Sequence, residues 1–177
     1  MYSFYSMVKN QRYMLEQTPR SLAKKIIDSV EWKQNENVCE PFRGEGSIYD
    51  QLPDYVNKTY AEIEEDIDFR DISYDNIDTI ITNPPYDIGE GARIRKNNFY
   101  KIVLYFSTTS VPRIILLCSQ VCFNSLTPKR LQELNKNNLF IKDITVCNCR
   151  KWYGRYYLLT FTREPNLLFK YFLESFD

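Results

Sequence analysis

The chain contains no histidine in 177 residues. That absence excludes Ser-His and Cys-His catalysis, and it excludes any metal site that needs an imidazole ligand. Cysteine is scarce and odd in number, five in all, which fits reduced thiols better than a disulfide framework. Cys118, Cys122, Cys147 and Cys149 match no common zinc spacing. They read as small core side chains, and no metal is expected. No apolar run has the length of a membrane span, and the first residues lack a signal-peptide pattern. The expectation is an intracellular protein, cytoplasmic or associated with the nucleus or nucleoid, with no membrane partner. Repeats and low-complexity linkers are also missing, so residues 1–177 read as a single domain.

Net charge is zero, with 23 basic and 23 acidic residues, but the two signs are not mixed evenly. Residues 1–87 hold nine Lys/Arg against seventeen Asp/Glu, and residues 88–177 hold fourteen against six. An acidic first half suits a cationic ligand, and a basic second half suits a polyanion.

What is present is most concentrated at Asn83-Pro84-Pro85-Tyr86, directly after the apolar run Ile80-Ile81-Thr82. These four residues have the chemistry to grip a planar amine. The exocyclic nitrogen of a nucleobase is a poor nucleophile because its lone pair is delocalised into the ring. Acceptors on its two hydrogens draw it towards tetrahedral geometry, and the Asn83 side-chain oxygen and Pro84 carbonyl can supply them. Two prolines stiffen the turn, so the acceptors are in place beforehand. Tyr86 offers a flat face for a base to stack on.

The chain around this turn alternates strands and helices. Thr18 is expected to cap a helix with Pro19 in its first turn, and Leu22, Ile26, Ile27 and Val30 form one apolar stripe. Strands are expected around Val38–Glu40, Thr59–Ile63, Asp78–Thr82, Arg113–Cys118, Phe140–Val146 and Tyr156–Thr162. Helical segments are expected at Ser47–Leu52, residues 98–108, Pro128–Asn135 and Leu167–Phe176. This order implies an α/β fold, with a mostly parallel sheet and helices on both faces. Ligands of such sheets bind beyond the carboxyl ends of the strands.

Further candidates fall at those ends. Glu40-Pro41-Phe42-Arg43-Gly44-Glu45-Gly46 follows the first strand, and Gly44 and Gly46 let the backbone turn sharply and approach a ligand closely. An acid at the strand end suits an ammonium or sulfonium rather than a pyrophosphate. Glu62 ends the next strand, where a carboxylate can accept both hydroxyls of a ribose. Asp68-Phe69 can accept an adenine amino hydrogen and pack the ring, and Asp71 is an alternative to Asp68. The segment Asp87–Asn98, with Arg93, Arg95 and Lys96, reads as a loop that contacts phosphates. Lys129, Arg130 and the stretch Arg150–Arg155 are further phosphate candidates.

Taken in order, these motifs resemble the S-adenosylmethionine-dependent amino-methyltransferases, most closely the adenine-N6 DNA methyltransferases. The likeness runs from about Thr18 to Arg163. Thr18-Pro19 is similar to the family's N-terminal cofactor motif, and Glu40 to Gly46 to its glycine motif, with Glu40 in place of the commoner Asp. Glu62-Ile63 resembles its ribose-binding acid, Asp68-Phe69 its adenine-binding pair, and Asn83–Tyr86 its catalytic tetrad. Lys151, Trp152, Tyr153 and Arg155 resemble the late hairpin whose aromatic residue helps hold a flipped base.

The resemblance implies a Rossmann-like class I methyltransferase fold, its sheet seven-stranded with a final antiparallel hairpin. It also implies S-adenosylmethionine as cofactor and DNA as partner. The chain departs from the pattern in the bulk of Arg43 and in having no separate target-recognition domain, so a specificity subunit or homodimer stands as an expectation. RNA adenine, cytosine N4 and a protein glutamine amide present similar amines. The glutamine-directed group normally has a preceding helical domain, for which this chain has no room. A non-catalytic nucleic-acid-binding or partner subunit is the reading from another class.

Overall fold

Six short runs rich in β-branched and aromatic residues form one sheet in the computed structural model, which describes residues 17–85, 95–148 and 154–166. The strands are β1 (Asn37–Glu40), β2 (Asn57–Tyr60), β3 (Thr79–Thr82), β4 (Arg113–Ser119), β5 (Phe140–Cys147) and β6 (Tyr156–Thr162). Their spatial order is β2-β1-β3-β4-β6-β5. The first four are parallel, and β6 lies antiparallel between β4 and β5, as the hairpin expectation required. The helices are α1 (Arg20–Ser29), α2 (Arg95–Ser107), α3 (Gln120–Phe123) and α4 (Pro128–Lys136).

The period-2 geometry of a strand divides the core between two faces. On β3, Ile80 joins one buried cluster and Ile81 the other. On β4, Ile114, Leu116 and Cys118 face the first, while Ile115 and Leu117 face the second. Phe99, Ile102, Val103 and Phe106 of α2, with Leu131 and Leu134 of α4, cover the first face. Leu22, Ala23, Ile26 and Ile27 of α1 cover the second, together with Ile48, Leu52 and Val56 from the β1–β2 connection. Burial on both sides explains why β3 and the interior of β4 are uniformly apolar or buried. Edge strand β5 alternates with exposed Lys142, Asp143 and Thr145, which blunts that edge against pairing.

The connection after β1 therefore leaves towards the α1 face, and the one after β3 towards the α2 face. The two diverge at neighbouring strands, which makes the crevice beyond the carboxyl ends of β1 and β3 the switch point of the sheet.

Several expectations are corrected. Six strands, not seven, form the sheet among the described residues. A further parallel strand between β2 and β3 would need two crossovers of about a dozen residues each, and residues 61–78 are too few to hold them. The segment Ser47–Leu52 supplies only a 3-10 turn, Tyr49–Gln51, because Leu52 precedes Pro53 and is driven to extended backbone (φ −58°, ψ 141°). β2 ends at Tyr60 rather than running to Ile63. Glu62 instead caps a 3-10 turn at Ile63–Glu65, its side chain accepting the Glu64 N–H. Thr18 does not cap α1; Pro19 holds that position, and its carbonyl accepts from Leu22 and Ala23. Helix α3, capped by Ser119, was not anticipated. The helix expected over Leu167–Phe176 lies outside the described residues.

Candidate functional site

The turn after β1 is built from beneath. Glu40 is 2 % exposed, and its carboxylate accepts the Tyr49 N–H at 2.7 Å, so the returning end of the turn is tied to the strand. Burial pushes Glu40 well above the ordinary glutamate range, against the lowering effects of the Tyr49 hydrogen bond and Arg43, with Asp50 and Glu62 adding to the rise. Pro41 is buried and Phe42 half-buried. Gly44 and Gly46 have φ of +53° and +77°, the left-handed region that glycine enters without strain.

Glu62 closes the turn from the side. One of its oxygens accepts the Gly44 N–H at 2.5 Å, and the other accepts the Glu64 N–H at 3.1 Å. Each carboxylate oxygen has a further lone pair, so these bonds orient the group without exhausting it. Beside it Ile63 is 56 % exposed, an apolar surface at the rim of the crevice.

Arg43 does not obstruct the glycine turn. Its guanidinium lies over the Tyr60 ring at 4.4 Å from the centroid and near Tyr49 at 5.5 Å, and it pairs with Glu65 at 2.7 Å. The Tyr60 hydroxyl donates to the same Glu65 at 2.8 Å. The arginine thereby pins the turn to the end of β2.

Phe69 is a core residue, 9 % exposed, packed on Phe42 at 4.7 Å between ring centroids. This contact brings Phe69 against Phe42 of the glycine turn. Asp68 is paired with Arg70, whose side chain and main-chain N–H all donate to it. The Arg70 hydrogen bonds hold its carboxyl below the usual aspartate range. Asp71 is exposed.

Across the switch point stands Asn83, the first residue after β3. Its side-chain nitrogen donates to the Thr18 hydroxyl at 3.2 Å. That bond orients the amide. Thr18 is 7 % exposed, Pro84 is buried, and Asn83 and Pro85 are half-buried. Tyr86, Arg93, Lys151, Trp152 and Tyr153 lie outside the described residues, as do the side chains of Arg95 and Lys96, whose backbone opens α2.

Gln17 was missed in the sequence. Its side-chain oxygen accepts the Glu45 N–H at 3.4 Å, and a Cβ built on Gly44 would lie 3.0 Å from both ends of its amide. Only its place beside Thr18-Pro19 hinted at a role. Three residues on, at the start of α1, Arg20 pairs with Asp50 at 2.8 Å, so residues 17–20 touch the glycine turn at both Glu45 and Asp50.

The basic candidates differ among themselves. Lys129 and Arg155 are exposed. Arg130 instead stacks on the Tyr100 ring at 4.4 Å and donates to the Ser125 carbonyl at 2.9 Å, while Tyr100 donates to Glu133. No cluster of three or more metal-binding side chains occurs among the described residues. No described helix is long and apolar enough to cross a membrane.

No family model and no curated relative matches the chain. Solved structures do. A chain of the E. cuniculi Mtq2-Trm112 complex, responsible for methylation of the eRF1 translation termination factor, superposes with a TM-score of 0.57 at 14% identity, over 85% of this chain and 99% of that one. Magnesium protoporphyrin IX methyltransferase (ChlM) from Synechocystis PCC 6803, with bound SAM, gives 0.52 at 13% identity, over 93% and 86%. At such identities the likeness is one of architecture. The sheet order, the antiparallel β6 and these neighbours together identify the fold as the Rossmann-like α/β fold of class I methyltransferases.

Proposed function

We propose that this chain transfers the methyl group of S-adenosylmethionine to the N6 amine of adenine in DNA. The observation that carries the reading is the placement of Asn83. It follows β3 at the switch point, opposite the glycine turn of β1, with its amide oriented by Thr18.

The residues present fit that cofactor. Gly44 makes close approach feasible, and the Glu45 N–H points where a carboxylate can accept from it. Glu62 presents an oriented carboxylate beside exposed Ile63, matching a ribose and an apolar ring. Glu40, Asp50, Glu62 and Glu65 surround the turn with acidic groups, Arg43 pairing with Glu65 and Arg20 with Asp50. When bound, S-adenosylmethionine supplies an activated methyl group on a sulfonium.

The protein's part is to hold the amine. Asn83 Oδ1 and the Pro84 carbonyl accept its two hydrogens, and the proline pair keeps them fixed. Tyr86 stacks on the base, with Trp152 or Tyr153 on its other face. Adenine reaches these groups only after leaving the base stack. Because the donor is activated, the amine proton can depart after transfer, and the lack of histidine is no handicap. Arg93, Arg95, Lys96, Lys129, Lys151 and Arg155 contact phosphates.

A second reading, a protein side-chain amide as the acceptor, is favoured by one observation. The Mtq2-Trm112 complex, responsible for methylation of the eRF1 translation termination factor, contains a chain that shares this fold over 99% of its length. A protein partner is compatible with both readings.

The test is transfer from labelled S-adenosylmethionine to duplex DNA, single-stranded DNA, RNA and glutamine-containing protein, with Asn83→Ala as control. N6-methyladenine in DNA that disappears in the variant is the expected result. Labelling of RNA or protein alone moves the substrate class, cofactor binding with no transfer to anything points to a missing partner subunit, and loss of both binding and transfer favours a non-catalytic subunit.

A further inference from the structure

Gln17 and Thr18 are consecutive residues that touch the two halves of the site separately. Gln17 lies on the glycine turn, where its oxygen accepts the Glu45 N–H. Thr18 accepts from the Asn83 side chain. As adjacent residues they join the turn after β1 to the turn after β3.

The geometry over Gly44 is close. A Cβ there would stand 3.0 Å from Gln17 Oε1 and Nε2 and 3.4 Å from its Cδ, so the room that the glycine leaves is filled by the planar amide. At 3.4 Å the bond to Glu45 is long for N–H···O. It is a contact that can be given up at small cost. A carboxamide oxygen on a main-chain N–H is also the neutral counterpart of a carboxylate on the same donor. A charged acceptor makes the stronger bond.

We propose, resting on the cofactor reading above, that Gln17 is a displaceable plug of the glycine turn. The amino-acid carboxylate of the cofactor takes over the Glu45 N–H, and the shift of Gln17 is passed through Thr18 to the amide of Asn83. Gln17 and Thr18 are positioning residues in this scheme. They make the acceptor for the target amine respond to cofactor occupancy. Coupling between two binding sites is reciprocal, so the same contact makes target binding favour the cofactor-loaded turn.

The scheme predicts a sign that a plain binding contact does not. Removing a group that competes with the ligand strengthens binding, whereas removing one that holds the ligand weakens it. Gln17→Ala should bind S-adenosylhomocysteine more tightly than the native chain by about 2- to 3-fold, the low end of what one hydrogen bond is worth.

The experiment combines calorimetry with NMR of the Asn83 side-chain amide, identified by its loss in Asn83→Asp, using S-adenosylhomocysteine as the probe. In the native chain the probe should shift that resonance. Thr18→Val should lose most of the shift while still binding the probe, and Thr18→Ser, which keeps the hydroxyl, should retain it. Weaker or unchanged binding by Gln17→Ala overturns the plug, and an undiminished shift in Thr18→Val overturns the coupling. Failure of the native chain to bind the probe rejects the cofactor reading itself, so the two failures are told apart.

Discussion

Thr18 and Asn83 stand 65 positions apart and share a hydrogen bond of 3.2 Å. The threonine that reads as a helix cap is instead the partner of the residue that would grip the substrate amine. Its role follows from where the lead into α1 crosses the ends of the strands, and it bears on how Asn83 variants should behave.

Asn83→Ala removes the acceptor and should slow methyl transfer by about 10²-fold or more, as in other preorganised hydrogen-bond sites. Asn83→Asp should keep much of the activity. The carboxylate is still an acceptor, and the Thr18 hydroxyl can reverse from accepting to donating. Single-turnover rates at saturating cofactor decide the matter. Near-native turnover by Asn83→Ala would exclude the mechanism.

At the amino ends of the central strands, away from the site, Glu36 is buried under Arg113, Thr79 and the Lys33 N–H, with donor distances of 2.5, 2.6 and 2.9 Å. Burial alone would raise its carboxyl, but these hydrogen bonds and the Arg113 charge outweigh it and hold it below the ordinary value. The native state thus takes up this proton at lower pH than the unfolded chain. Its contribution to stability is full above about pH 4.3, the ordinary glutamate range, and is lost as pH falls through the lowered value. Glu36→Gln should flatten the acid limb of the stability curve. Denaturant midpoints measured from pH 6 downwards test this, and an unchanged limb rejects it.

Arg163 holds the ends of two helices. Its guanidinium donates to the carbonyls of Phe106, Ser107, Thr109, Val111 and Asn137 at 2.7 to 3.3 Å. Arg163→Met leaves those acceptors unmet and should cost roughly 2–4 kcal/mol. Arg163→Lys should recover less than half, since an ammonium cannot spread over the same fork of acceptors. Chemical denaturation of both variants gives the comparison directly.

Lys129 and Arg130 are neighbours in sequence with different predicted behaviour. Lys129 is exposed, so Lys129→Ala should leave stability within about 0.5 kcal/mol. If it meets a phosphate, it should reduce the slope of log affinity for DNA against log salt by about 0.9. Arg130 stacks on Tyr100 and bonds to the Ser125 carbonyl, and Arg130→Ala should cost roughly 1–2 kcal/mol. Salt titration beside thermal melting separates the two, and equal effects on stability would contradict the assignment.

Strand and helix identity was mostly legible in the sequence. The apolar run at Arg113–Cys118 became β4, the helical segment at Pro128–Asn135 became α4, which Thr127 caps, and the stripe of Leu22, Ile26 and Ile27 became the buried face of α1. The Asn-Pro-Pro turn stands where its strand had to end. These features depend on residues within a few positions of each other, where side-chain period, caps and prolines act directly.

Tertiary structure decided the rest. Local pattern cannot say that Ile80 and Ile81 serve different clusters, that Arg43 escapes the glycine turn by stacking on Tyr60, or that Gln17 lies on Gly44. Nor could motif order alone reveal that residues 61–78 leave no length for a seventh strand. The amino acids determined which groups were on hand and the elements that carry them. Which of those groups meet was settled only when the sheet buried both faces and closed loops between residues far apart in the chain, because partners at that range are chosen by burial and geometry rather than by neighbouring sequence.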